Sequence, residues 1–351
     1  MAHQPFIRLP GLALIGALLL VLQTACSNIA PRVEAAHAAQ ADIAAPHYVE
    51  PSALQTPVRV ALVLSGGSLR GFAHIGVLRV LQTHGLAPDL IVGTSAGAIV
   101  GALVASGRSA GELASTARHD KVGFDVQADI DPWGSALLTR ASRSRRLATF
   151  ISAGLRQPQI EDFPARFAAV AAERNGGCLA VFNAGDARRA VGASSAMPGV
   201  FAPVGVDGLD YVDGGLVAPL PVRVARDLGA QFVIAVDVTW HADPTTPTGL
   251  FDSVFHAGML MARNLSAADR ANADLVIEPA LPPVADVTLD KRAAIIAAGE
   301  RAALAALPQL RALFAAGAAR ASGGPASSHA SESRAGAPRR CAQASLLAAK
   351  N

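Results

Sequence analysis

The sequence predicts an α/β fold with a mostly parallel central sheet, and three observations carry that prediction. Short apolar runs rich in β-branched residues recur at residues 58–64 (VRVALVL), 90–92 and 231–238 (QFVIAVDV). Strands buried on both faces of a parallel sheet read as unbroken runs of this kind rather than as alternation. The first two runs each lead through a glycine-containing turn into a helical pattern, so strand, helix, strand and helix all fall between Val58 and Ala105. That order calls for right-handed crossovers. The third observation is the second of these turns, Gly93-Thr94-Ser95-Ala96-Gly97. A G-x-S-x-G between a strand and a helix is the setting of a nucleophile elbow, in which the serine stands on a tight, strained bend with its hydroxyl aimed out of the sheet.

Taken in order, the chain opens with Arg8 and an apolar run, 11–22, that ends in Gln23-Thr24-Ala25-Cys26. Positive start, short hydrophobic stretch and small residues describe a secretory signal over residues 1–25, and the run is too short for an ordinary membrane span. Cys26 after Thr24-Ala25 resembles the lipidation site of bacterial lipoproteins, with Gln23 where such sites usually carry leucine. Ser27 follows rather than aspartate. The resemblance implies an exported chain held at the cell envelope by an N-terminal lipid on Cys26, in the outer membrane facing the periplasm. Residues 26–56, rich in Ala and Pro without periodicity, read as a tether.

The body, residues 57–316, starts with the strand 58–64 and the loop Ser65-Gly66-Gly67-Ser68-Leu69-Arg70-Gly71. A helix over 72–83 follows, with Ile75, Leu78 and Leu81 on one side and Gly85 closing it. The strand at 90–92, the elbow and a helix from 98 to 105 come next. Residues 107–173 read as mostly helical and as a possible cover for the site. Strands are expected at 178–182, 209–212, 231–238 and 274–278, and helices at 222–228 and 291–314, the last interrupted by Pro308. From Gly317 to Asn351 the composition of Gly, Ser, Ala, Pro and Arg reads as a disordered tail.

Composition narrows the function. The net charge of +3 is mild and no nucleic-acid module is recognisable. Arg140, Arg143, Arg145 and Arg146 form a basic cluster that fits either a solvated face or anionic lipid headgroups. Three cysteines, Cys26, Cys178 and Cys341, make no disulfide framework and no metal spacing, and Cys178 reads as a core residue. No metal and no cofactor is expected.

The loop 65–71 puts backbone N–H groups at a helix start, a site for negative charge. It lacks the lysine of a P-loop, and Ser68 falls where a dinucleotide loop wants glycine. Beside a nucleophilic serine such a loop suits the oxyanion of acyl transfer, each donor contributing roughly 3 kcal/mol to the transition state. For the base, one candidate is Asp213 in Tyr211-Val212-Asp213-Gly214-Gly215. The other is a Ser-Asp-His triad completed by His241, just past the strand 231–238; His256 sits in a helical stretch and His329 in the tail.

Three blocks stand in order, SGGSLRG, GTSAG and DGG. Together they resemble the patatin-like phospholipase family, in its short bacterial form, and the flanks 192–204 (GASSAMPGVFAPV), 214–238 and 273 onward look similar too. The resemblance implies a three-layer α/β/α sandwich and a serine lipid acyl hydrolase of the phospholipase A, lysophospholipase or carboxylesterase type, acting on phospholipid or another lipid ester. It implies that Ser95 is the nucleophile and Asp213 its partner in a dyad without histidine. Gly66, Gly67, Ser68 and Arg70 would form the oxyanion hole, and Gly71, Gly93, Gly97, Gly214 and Gly215 would shape the turns. Ser68 replaces the third glycine of the first block, a change expected to strain the loop. Two other readings stand beside this one: the esterase using His241, and an envelope lipid-binding protein of weak catalytic power.

Overall fold

The computed structural model describes residues 43–50, 57–119, 140–239, 250–282 and 289–322. It contains β1 (Val60–Leu64), α1 (Phe72–Thr83), β2 (Leu90–Thr94), α2 (Ala96–Ala105), α3 (Ala110–His119), α4 (Arg140–Gly154), β3 (Arg166–Glu173), β4 (Leu179–Phe182), α5 (Ala187–Ser194), β5 (Val204–Val206) and β6 (Leu209–Asp213). These are followed by α6 (Val222–Asp227), β7 (Phe232–Val236), α7 (Leu250–Arg270), β8 (Leu275–Ile277), α8 (Leu289–Ala305) and α9 (Leu307–Ser322).

One mixed sheet runs in the order β5-β6-β3-β2-β1-β7-β8, with β4 paired to β3. The β3-β2-β1-β7-β8 stretch is parallel, and the pairs made by β4, β5 and β6 are antiparallel. Alternate residues of the central strands feed two cores. Leu62, Leu64, Ile91, Phe167 and Ile234 join α1, α2 and α8 on one face. Ala61, Val63, Val92, Val170 and Val233 join Val222, Val224 and Ala225 of α6 on the other. Burial on both faces explains why β1, β2 and β7 are continuous apolar runs. The fold is the expected three-layer α/β/α sandwich around a mostly parallel sheet.

Details differ from expectation. The stretch 107–173 is only partly helical: α3 and α4 are there, but its last eight residues are the central strand β3. RFAAVAAE is alanine-rich and weak in intrinsic strand preference, so pairing on both edges decides its state. Within the presumed tether, residues 45–50 lie against the body. His47 N–H donates to Ala184 O at 3.0 Å and Val49 N–H to Asn183 Oδ1 at 2.7 Å. Helix α9 continues to Ser322, past the expected start of the tail. The long C-terminal helix breaks at Ala306, with Pro308 in the first turn of α9, where its missing N–H is least costly.

Strand β3 also fixes where the site forms. Thr94 at the end of β2 pairs with Val170, and Asp213 at the end of β6 pairs with the next residue, Ala171. Both Val170 and Ala171 pair with β4 on their other edge. Strands β2 and β6 therefore share one edge of β3 and meet there end to end, which brings Ser95 and Asp213 to one point.

Candidate active site

Ser95 occupies the elbow with φ +53° and ψ −120°, a conformation that L-residues avoid. The flanking glycines are obligatory by contact. A Cβ on Gly93 would stand 2.6 Å from Ala98 Cα, and one on Gly97 would stand 2.2 Å from Leu64 O.

The bend is held by residues of the 192–204 flank whose hydrogen bonds have no signature in the sequence. Ser95 N–H donates to Ser194 Oγ at 3.0 Å, and the Ser194 hydroxyl donates to Val170 O at 2.6 Å. The Ser195 hydroxyl donates to Ser95 O at 3.2 Å. Asp213 N–H donates to Ala196 O at 3.0 Å. Three consecutive residues at the end of α5, Ser194, Ser195 and Ala196, thus clasp both the serine and the aspartate. The signal available was the small-residue run of 192–196, which carries no mark of its hydrogen bonding.

Asp213 is 5 % exposed. Its Oδ1 accepts Gly215 N–H at 2.8 Å. Burial pushes its carboxyl up to about 6, and the Ser95 hydroxyl and the Gly215 amide pull partly the other way. The Ser95 hydroxyl is close enough to act on the carboxylate, yet Oδ2 is buried without an aligned donor. Hydrogen bonds between a nucleophile and its base often align only around a substrate. Gly214 permits the approach: a Cβ there would lie 2.1 Å from Val170 O.

The glycine-rich loop lies alongside. Gly66, Gly67 and Ser68 line the same cavity as Ser95 and Asp213. The Gly66 N–H is committed to Pro219 O at 2.9 Å, which leaves Gly67 and Ser68 as the loop amides available for an oxyanion. Gly67 must be glycine, since a Cβ would come within 2.8 Å of Val238 O. Ser68 adopts φ +54°, so the expected strain is present. Arg70 is half-buried in the short helical turn before α1 and is not among the residues lining the cavity. Gly71 lets α1 close on the elbow helix, its virtual Cβ 2.6 Å from Ala96 Cβ.

Behind the loop sits His74, wholly buried. Its Nε2 lies 2.9 Å from Ser65 O. A carbonyl only accepts, so Nε2 carries the proton, while Nδ1 is buried without a partner. Burial holds the imidazole down at about 4, against smaller upward pulls from the Ser65 carbonyl and Asp237. Ser65 Oγ accepts Val238 N–H at 2.8 Å, and Asp237 Oδ1 accepts both the N–H and the hydroxyl of Thr239, another cavity residue.

The cavity has a volume of about 260 Å³, and its remaining lining is largely apolar: Met197, Pro198, Val200, Leu216, Pro219 and Met259. Among the described residues there is no group of His, Cys, Asp and Glu able to hold a metal. Cys26 and His241 lie outside the described residues. Cys178 corrects the reading of the cysteines: it is half-buried at the start of β4 and disulfide-bonded. The other two cysteines, Cys26 and Cys341, lie outside the described residues.

Comparison with known proteins finds similar chains. Residues 62–226 match the family model of patatin-like phospholipase. An uncharacterized NTE family protein of Mycobacterium bovis is 34% identical over 256 residues, covering 73% of this chain and 41% of the relative. Patatin-like phospholipase domain-containing protein 6 of Homo sapiens is 34% identical over 185 residues, covering 51% of this chain and 13% of that protein. The chain spans less than half the length of these relatives. Among solved structures, VipD from Legionella pneumophila aligns with a TM-score of 0.41 at 13% identity, over 76% of this chain and 70% of that one. The type III effector ExoU aligns at 0.37 and 15%, over 73% and 53%.

Proposed function

From its patatin-like fold and its match to the patatin-like phospholipase model, we propose that this chain is a serine lipid acyl hydrolase, cleaving phospholipid, lysophospholipid or simpler carboxylic esters with Ser95 and Asp213. One observation carries the reading: a buried carboxyl raised to about 6 faces the hydroxyl of an elbow serine at an apolar cavity. A carboxylate of ordinary acidity is too weak a base near neutral pH, and burial brings Asp213 toward the useful range.

The reaction is two-step acyl transfer. Asp213 takes the Ser95 proton as Oγ attacks the ester carbonyl, and the Gly67 and Ser68 amides receive the oxyanion. Collapse of the tetrahedral species expels the alcohol, which leaves with the proton from Asp213. Water then adds to the acyl-enzyme, giving a proton to Asp213, and the second collapse releases the fatty acid and restores the serine.

Export and tethering complete the proposal. Lipidation of Cys26 would place the enzyme at the cell envelope, on the periplasmic side of the outer membrane, close to lipid esters. The disulfide at Cys178 supports an oxidising compartment. Intact-mass measurement and peptide mapping read whether Cys26 carries a lipid.

The test is labelling with a fluorophosphonate probe, alongside turnover of p-nitrophenyl butyrate and of phosphatidylcholine. Wild type should label and turn over, and Ser95→Ala should do neither. No labelling and no activity above the Ser95→Ala control would replace the enzyme with a lipid-binding protein.

A further inference from the structure

Exposed large hydrophobic side chains are rare among the described residues, and they are not scattered. Leu216, Leu260, Met261, Leu265 and Leu304 make up the set, and four of the five fall on α7 or on the turn after Asp213. Leu216 is 55% exposed and also lines the cavity, so it stands at the mouth. Helix α7 supplies another wall through Gly258, Met259 and Ala262. Met261 and Leu265, 66% and 40% exposed, lie one turn apart. They are three residues beyond Gly258 and Ala262 respectively, which makes them neighbours on the helix surface. The apolar lining of the cavity therefore continues outward onto the surface.

Charge adds a second argument. The segment that supplies Met197, Pro198 and Val200 to the cavity is tied to α4, where Ala202 N–H donates to Ser144 Oγ at 2.9 Å. Helix α4, RASRSRRLATFISAG, holds no acidic residue, and Arg140, Arg145 and Arg146 are exposed along its N-terminal half. An apolar rim, joined through the 197–202 segment to a helix whose only charges are basic, suits an anionic lipid surface, whose headgroups attract arginine while its acyl boundary accepts Leu and Met.

We propose that this face docks on an anionic bilayer, with Leu216, Met261 and Leu265 entering the acyl boundary and the α4 arginines meeting headgroups. A lipid would then pass from the bilayer into the cavity along apolar surface. The proposal rests on the lipid-hydrolase reading for its purpose, but its test does not need turnover.

The test uses the full chain with Cys26→Ser, so that no N-terminal lipid supplies the binding, and with Ser95→Ala for the sedimentation arm. Vesicles of phosphatidylcholine, alone or mixed with phosphatidylglycerol, are the probe. Adding Met261→Asp and Leu265→Asp should weaken co-sedimentation by about tenfold or more, since two apolar contacts are replaced by charge. With Ser95 intact, the same pair should leave p-nitrophenyl butyrate turnover within about twofold, as neither side chain lines the cavity. Arg140→Glu with Arg145→Glu should remove the preference for phosphatidylglycerol. A parent chain that does not sediment, or sedimentation indifferent to the Met261 and Leu265 substitutions, overturns the docking surface. So does a dimer seen by size exclusion that the same substitutions dissolve while vesicle binding persists, because a second copy would then be the occupant. Patch-dependent binding without ester turnover would uphold the surface and sink the hydrolase.

Discussion

The middle of β3, which brings Ser95 and Asp213 together at the cavity, and the outer helix α7, which lines it, are built by opposite means. Around Val170 and Ala171 every contact is short and internal. Two strands meet end to end, and residues 194–196 clasp the backbones of Ser95 and Asp213. Helix α7 is largely exposed, and ion pairs near its C-terminal end secure it. Arg223 reaches Asp269 at 2.5 Å, and Arg270 reaches Asp237 at 2.6 Å and also Glu278. The difference teaches where this fold spends its order. Reacting groups need placement within a fraction of an ångström, and a close-packed, doubly paired strand provides it. On the proposed function, the wall facing the lipid needs only to present the right surface.

The comparison can be broken first at its rigid side. Asp213→Asn should lower kcat for a soluble ester by about a thousandfold, the usual range for losing a general base. The same change removes a charge held in a buried site. A carboxyl near 6 in the fold and about 4 when unfolded favours folding below pH 4, and that contribution is lost as pH rises through 6. Asp213→Asn should therefore be more stable than wild type at pH 8, by about 3 kcal/mol, in urea denaturation.

Next in size is the clasp. Ser194→Ala strips the acceptor from Ser95 N–H and the donor from Val170 O, and unsatisfied buried groups cost about 2 kcal/mol. Both Tm and kcat should fall, while Ser194→Thr, which keeps the hydroxyl, should recover part of each. A loss of stability with kcat unchanged would make Ser194 a packing residue only.

The pH profile distinguishes the two sides more gently. Ester turnover should rise through about pH 6 as Asp213 ionises, and a profile flat across that range would remove Asp213 as base. His74 titrates in the other sense. Its contribution to stability is complete above pH 6.5 and is lost as pH falls through 4, so acid should loosen the wall behind the glycine loop.

The smallest effect is expected at Ser68. Its φ of +54° costs a serine about 1 kcal/mol, and glycine would relieve it. Ser68→Gly should raise or hold activity, and measurable loss would assign the hydroxyl a role in the site.

Much of this was legible in the chain. Strands β1, β2 and β7 were plain because burial on both faces leaves no polar positions. The elbow was plain because Gly93 and Gly97 are forced by contacts under 3 Å with the neighbouring backbone. Strand β3 was not, because alanines carry no strand preference and the pairing that makes it a strand comes from residues far along the chain. Ser194 and Ser195 were hidden for a similar reason: their hydrogen bonds to Ser95 cross 99 and 100 residues. The Gly66 amide looked like an oxyanion donor until Pro219, distant in sequence, was found to occupy it.

Because Thr94 and Asp213 pair with adjacent residues of one strand, the placement of Ser95 beside Asp213 is hostage to an indel. Adding or removing a single residue in the 207–208 hairpin could shift β6 by one step and turn its side chains to the opposite face, with most pairings still available. Such a lineage would keep its shape, its cavity and its serine, and would fall silent. On the proposed function, activity would be lost with both Ser95 and Asp213 still in the chain.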